Sequence, residues 1–162
     1  MVDINRAGTP LVEIVTEPDL RTAQEVHDFI ASLQQLVRYL EISDGNMEEG
    51  SLRCDVNVSV MPQGSKVYGE RNEIKNVNSK KFAKTAVEYE SKRQISILES
   101  GGTVAMNTLL FNPENGTTKP MRSKEEANDY RYFPDPDLPP LQLSPSEVEE
   151  IIQSVDLLPN GF

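Results

Sequence analysis

Between residues 51 and 60 the chain alternates without a break. Leu52, Cys54, Val56, Val58 and Val60 are apolar, and Ser51, Arg53, Asp55, Asn57 and Ser59 between them are polar. A period of two sends successive side chains to opposite faces, so this stretch is a half-buried β-strand with its apolar half on a core. The polar half has two readings: a solvent-facing sheet surface, common in antiparallel sheets, or a working surface. Asp and Asn are poor strand formers, and two of them mid-strand point toward chemistry.

Elsewhere the period changes. Over residues 22–40, Val26, Phe29, Ile30, Leu33, Leu36, Val37 and Leu40 recur at helical spacing, and Thr22 with Glu25 forms a capping box at the start. The sole histidine, His27, lies off that stripe and reads as a surface residue. Upstream, residues 10–16 are rich in β-branched side chains and predict a strand, interrupted by Glu13. A carboxylate in mid-strand is costly unless it is paired, metal-bound or solvated.

Downstream, a turn near Gly64 and a strand over about 68–77 complete an antiparallel hairpin with 51–60. Asn78 or Ser79 then caps a helix from Lys80 to Ser100, with Phe82, Ala86, Tyr89 and Ile97 on its inner face and Gly101-Gly102 closing it. A second hairpin is expected from a strand at 103–111, a loop at 112–116 and a strand through Met121. The prolines of residues 133–143 forbid regular structure and mark a domain boundary. Ser144-Pro145-Ser146-Glu147 opens a further helix with a capping box and a proline at the first helical position. The expected organisation is therefore an α+β domain over 1–132, a stiff linker over 133–143, and the start of a helical domain over 144–162.

Composition adds three constraints. One cysteine, Cys54, has no disulfide partner and suits a reducing compartment. No apolar run is long enough to span a membrane, so the expected location is cytoplasmic, or an organellar matrix in a eukaryote. The net charge of −10 argues against a freestanding nucleic-acid binder. That average conceals a basic island: residues 66–93 hold eight basic against four acidic side chains, while both flanks are strongly acidic. Such an island is either a solvated helix face or a contact for a phosphate or an RNA end. The start of the 80–100 helix, with free backbone N–H groups beside Lys80 and Lys81, is the arrangement that attracts phosphate.

Five segments, in order along the chain, carry a family resemblance. They are Asn5-Arg6-Ala7-Gly8-Thr9-Pro10-Leu11-Val12-Glu13-Ile14-Val15 with Glu17-Pro18-Asp19; Met47-Glu48-Glu49-Gly50-Ser51-Leu52-Arg53-Cys54-Asp55-Val56-Asn57; and Glu73-Ile74-Lys75-Asn76-Val77-Asn78-Ser79, followed by Glu90 and Arg93-Gln94. Met121-Arg122-Ser123-Lys124-Glu125-Glu126 and the run from Asp129-Tyr130-Arg131-Tyr132 to Pro140 complete the set. Together they resemble the B subunits of the aspartyl/glutamyl-tRNA(Asn/Gln) amidotransferases.

The resemblance implies a glutamine synthetase- or guanido kinase-like cradle built on an antiparallel sheet. It implies ATP and magnesium as cofactors and a misacylated tRNA as substrate. The implied partners are the amidase, or A, component of the amidotransferase and its small C component, with no membrane. Phosphoryl transfer needs carboxylates for magnesium and cations for the developing phosphate charge. The resemblance thus nominates Glu13, Glu48 and Glu49 for metal, Arg53, Asp55, Asn57 and Lys75 for catalysis, and Asn76, Asn78, Lys80, Arg93 and Arg131 for substrate or tRNA. The chain also departs from the family pattern: a Glu-Val-His-type metal motif is missing, Met106 to Leu110 replaces a Gln-Glu-Thr-Arg segment, and Lys80-Lys81 replaces a more aromatic pair. These departures lead to the expectation of a partial chain of the enzyme. The alternative is a non-catalytic module that binds tRNA or the other components.

Overall fold

A computed structural model describes residues 8–121 and 139–155. Its order is α1 (Ala23–Tyr39), β1 (Cys54–Val58), β2 (Asn72–Val77), α2 (Lys80–Glu99), β3 (Asn107–Asn112), β4 (Thr117–Pro120) and α3 (Pro145–Ser154). The four strands form one sheet in the order β1-β2-β3-β4.

β1 and β2 pair antiparallel, as the alternation over 51–60 predicts, with Asn57 opposite Glu73 and Val56 opposite Ile74. The sheet as a whole corrects the expected all-antiparallel cradle, because β2 and β3 run parallel. The 20-residue helix α2 lies between them, and a crossover of that length brings the chain back to re-enter the sheet in the same direction. β3 and β4 then close the expected antiparallel hairpin, although β3 begins at Asn107 and not at 103.

The predicted strand over 10–16 does not form. Those residues carry no strand pairing, and Leu11 and Val15 are 89% and 83% exposed. A strand exists only through ladder bonds to a neighbour, and no strand of the described sheet pairs with this segment. Glu13 is correspondingly solvated, which removes the cost of a carboxylate in an apolar run.

The helices follow their sequence signals closely. Thr22 and Glu25 close both bonds of the capping box at α1, and Ser79 caps α2 by accepting from the Phe82 N–H. Ser144 and Glu147 form the same box at α3, whose Val148, Ile151 and Ile152 stay exposed. α2 lies on one face of the sheet, with α1 packed against it. Between the layers Val56, Val58, Ile74, Val77, Leu109 and Phe111 form the core with Ala83, Ala86 and Ile30. Full burial of side chains such as Ile74, Leu109 and Phe111 contributes roughly 1.5–3 kcal/mol apiece.

The inner face of α2 differs from the apolar reading in its lower half. Its fully buried positions are Ala83, Ala86, Glu90 and Gln94. Glu90 is satisfied there. It accepts from Arg93 Nε at 2.8 Å and Nη2 at 2.6 Å, from Gln94 Nε2 at 2.9 Å, and from the Thr118 hydroxyl at 3.1 Å. Gln94 Nε2 also donates to the Val58 carbonyl, so the network ties α2 to β1 and β4.

Candidate functional site

With α2 covering one face, no described helix packs on the other face of the sheet, and the strand register lays its side chains out in rows. In one row Asn57, Glu73 and Thr108 stand on adjacent strands. In the next, Lys75 stands beside Leu110, which pairs with Lys119, and on its other side Lys75 reaches Asp55.

The centre of this face is a three-residue ion cluster. Lys75 Nζ donates to Asp55 Oδ2 at 2.9 Å and lies 3.3 Å from Glu73 Oε1, while the Thr108 hydroxyl donates to Glu73 Oε2 at 3.2 Å. These partners, the Asp55 hydrogen bond foremost, raise the Lys75 pKa above its ordinary value and keep it charged. Arg53, at the mouth of β1, is exposed and pairs with no carboxylate among the described residues. The simple Arg53–Asp55 pair that adjacent charges invite is therefore not what forms.

A bulge produces this arrangement. Cys54 pairs with Val77 but Val56 pairs with Ile74, so Lys75 and Asn76 together face Asp55. The extra residue is Asn76, whose φ of 65° lies in the left-handed region that Asn tolerates better than most. The parity shift leaves both Lys75 and Asn76 on the open side and returns Val77 to the core. Both ends of the Asn76 amide are bonded: Nδ2 donates to the Phe111 carbonyl at 3.1 Å, and Oδ1 accepts from the Asn78 side-chain Nδ2 at 3.4 Å.

Because β2 and β3 are parallel and α2 joins them, the start of α2 lies just beyond the C-terminal end of β2. In α/β units this end is where ligands meet helix N-termini. Asn78, Ser79, Lys80 and Lys81 follow Val77 there in immediate succession.

The remaining nominated residues fall elsewhere. Glu48 and Glu49 lie on a turn that the buried Met47 anchors, directly before β1, while Glu13 sits on the unpaired segment. Among the described residues no three His, Cys, Asp or Glu side chains gather as a metal cage. Magnesium needs only one or two carboxylates with water and substrate phosphates, and the oxygen donors present are of the right kind for it. Arg93 is turned to Glu90 by a two-bond fork. Arg131 lies outside the described residues, as do the flanking tyrosines and linker residues 133–138. Sequence reasoning does not single out Glu73 or Thr108. Glu73 at i−2 from Lys75 is the available signal, since a period of two puts both on one face. Thr108 becomes visible only with the parallel register.

A family model of the GatB/GatE catalytic domain matches residues 1–149. The chain belongs to this family. It is 57% identical over 159 residues to the B subunit of the aspartyl/glutamyl-tRNA(Asn/Gln) amidotransferase of Alkalilimnicola ehrlichii, covering 98% of this chain and 33% of that protein. The proteins of the same name from Geotalea uraniireducens and Nitrosococcus oceani are 58% and 54% identical over 160 residues, 99% of this chain in each case and 33% and 34% of theirs. The chain thus spans about a third of the length of these curated GatB/GatE relatives. Among the described residues no helix is long and apolar enough to cross a membrane.

Proposed function

We propose that this chain supplies the open, ion-bearing face of an amidotransferase that converts Glu-tRNA(Gln), Asp-tRNA(Asn) or both to the amide. The carboxylate of the amino acid esterified to the tRNA attacks the γ-phosphorus of ATP and ADP leaves. Ammonia released from glutamine by the amidase component then attacks the resulting carbonyl, and phosphate departs as the amide forms. A small third component would complete the assembly. The sheet would serve as part of a glutamine synthetase-like cradle over residues 1–132, with 144–162 opening a helical domain.

One observation carries this reading: in a member of this family, Lys75 binds Asp55 on the sheet face away from α2, with Asn57 in the neighbouring row and the exposed Arg53 directly before β1. Lys75 and Arg53 offer cations where phosphate charge develops, Arg53 with a bidentate fork. Asn57 offers an amide to orient the acyl group, and Asn78 and Lys80 stand where a phosphate or the tRNA end would meet the helix. Asp55 and Glu73 outnumber the single Lys75 ammonium in their cluster, which favours a nucleotide that brings its own divalent cation over a bare phosphate. Magnesium would polarise the transferring phosphate, with Glu13, Glu48 and Glu49 the carboxylates assigned to it.

The test uses the full-length protein in complex with its partners. Arg53→Ala and Asp55→Ala should each abolish amide formation on misacylated tRNA while assembly by size-exclusion chromatography is unchanged. Wild-type rates in both variants would leave only a binding module.

A further inference from the structure

We propose that Glu73 is a positioning residue, fixing where the Lys75 ammonium stands against Asp55 and itself fixed by the Thr108 hydroxyl. This rests on the reading of Lys75 given above. A lysine side chain is a point charge on a flexible four-carbon stem, and one hydrogen bond leaves it free to swing about its partner. Here the ammonium is held from two strands: by Asp55 of β1 at 2.9 Å and by Glu73 of β2 at 3.3 Å. Glu73 is held in turn from a third strand, since Thr108 of β3 stands opposite it in register and donates to its second carboxylate oxygen at 3.2 Å. The Glu73 side chain is also the least exposed of the three charged groups, at 35% against 40% for Lys75 and 49% for Asp55. Each oxygen of Glu73 therefore has its own partner, and its bonds run from β3 through β2 to the cation.

A positioning role has a signature that plain structural support lacks: its effect disappears when the residue it acts through is removed. In the assembled full-length enzyme, Glu73→Ala should lower kcat for amide formation roughly 10- to 100-fold, the scale on which misplacing a group by an ångström acts. KM for ATP and the melting temperature should move little. Glu73→Gln, whose amide oxygen can still accept from Lys75 while its Nε2 donates to the Thr108 hydroxyl oxygen, should recover part of the rate. Thr108→Val should lose part of it while Thr108→Ser keeps it. In a Lys75→Ala background, adding Glu73→Ala should change the remaining rate by less than about twofold.

Additive losses in that double variant would overturn the proposal, as would a wild-type kcat for Glu73→Ala. Should Glu73→Ala fail to assemble, Thr108→Val in the two backgrounds makes the same comparison. A wild-type rate for Lys75→Ala would remove the functional reading itself and this inference with it. A crippled Lys75→Ala beside an unaffected Glu73→Ala would remove the inference alone.

Discussion

Asn76 Nδ2 donates to the Phe111 carbonyl at 3.1 Å, and the backbone of Asn76 is left-handed at φ 65°. The two facts belong together. The bulge that sets Lys75 against Asp55 needs a residue that tolerates positive φ, and the side chain of that residue ties β2 to β3 at the bulge.

The pairing predicts an order of stabilities. Asn76→Gly keeps the left-handed backbone and loses the side-chain bond, a cost of about 1 kcal/mol. Asn76→Val loses the bond and adds the strain of a branched side chain at positive φ, for about 2–3 kcal/mol in all. Urea denaturation of the two variants measures the difference. Equal midpoints would mean that the left-handed backbone at Asn76 places no demand on the residue there.

Much of this architecture is legible in the sequence. The strand at β1, the α1 and α3 capping boxes, the Ser79 cap and both antiparallel hairpins follow from period and turn chemistry, which are local. What is not legible is non-local. Residues 10–16 have every intrinsic mark of a strand and pair with nothing in the described sheet, because pairing is decided by the neighbour. The parallel β2–β3 register is hidden behind α2, and with it the Glu73–Thr108 bond. On the inner face of α2 the apolar residues mislead, since buried polar groups with partners can occupy a core stripe. The spacing of Ala83, Ala86, Glu90 and Gln94 is helical throughout. The bulge at Asn76 has no sequence signal beyond an Asn in mid-strand.

Arg93 illustrates how a family-derived role and a structural one separate by experiment. Its guanidinium holds the fully buried Glu90, and the hydrogen bonds between them raise the Arg93 pKa further above its ordinary value. Removing one partner of such a pair leaves an uncompensated charge, so Arg93→Met should cost about 3 kcal/mol. Replacing Glu90 and Arg93 together by Leu and Met should cost less than the single change. If Arg93 also contacts tRNA, the double variant will show weakened tRNA affinity with its stability largely recovered. Affinity that recovers along with stability assigns Arg93 to the fold alone.

Cys54 gives a probe of the same sheet edge in pH. Burial, then the nearby Asp55 charge, push its thiol up to about 11. Reactivity belongs to the thiolate, so at pH 8 the folded protein should alkylate with iodoacetamide more than tenfold slower than the urea-unfolded chain. The rate should climb as pH approaches 11. Because burial is the larger cause, Asp55→Asn should quicken alkylation only slightly. Rapid labelling of the folded protein at pH 8 would contradict the packing of the Cys54 side chain against the core.

The basic island is tested by salt. Lys80 and Lys81 open α2 beside free backbone N–H groups, and Lys84 on the same helix is bound to Gln24 Oε1 at 2.7 Å. A cation that neutralises a phosphate releases condensed counterions, so affinity for tRNA should fall linearly in log–log form with salt. Removing one such contact reduces the slope by about 0.7–0.9. Lys80→Ala and Lys81→Ala in the assembled enzyme should each flatten the slope by close to that amount. Lys84→Ala, whose amine already serves α1, should flatten it less and loosen the α1–α2 contact instead. Filter binding across a range of potassium chloride concentrations measures all three. Slopes equal to wild type would show the lysines to be a solvated helix face.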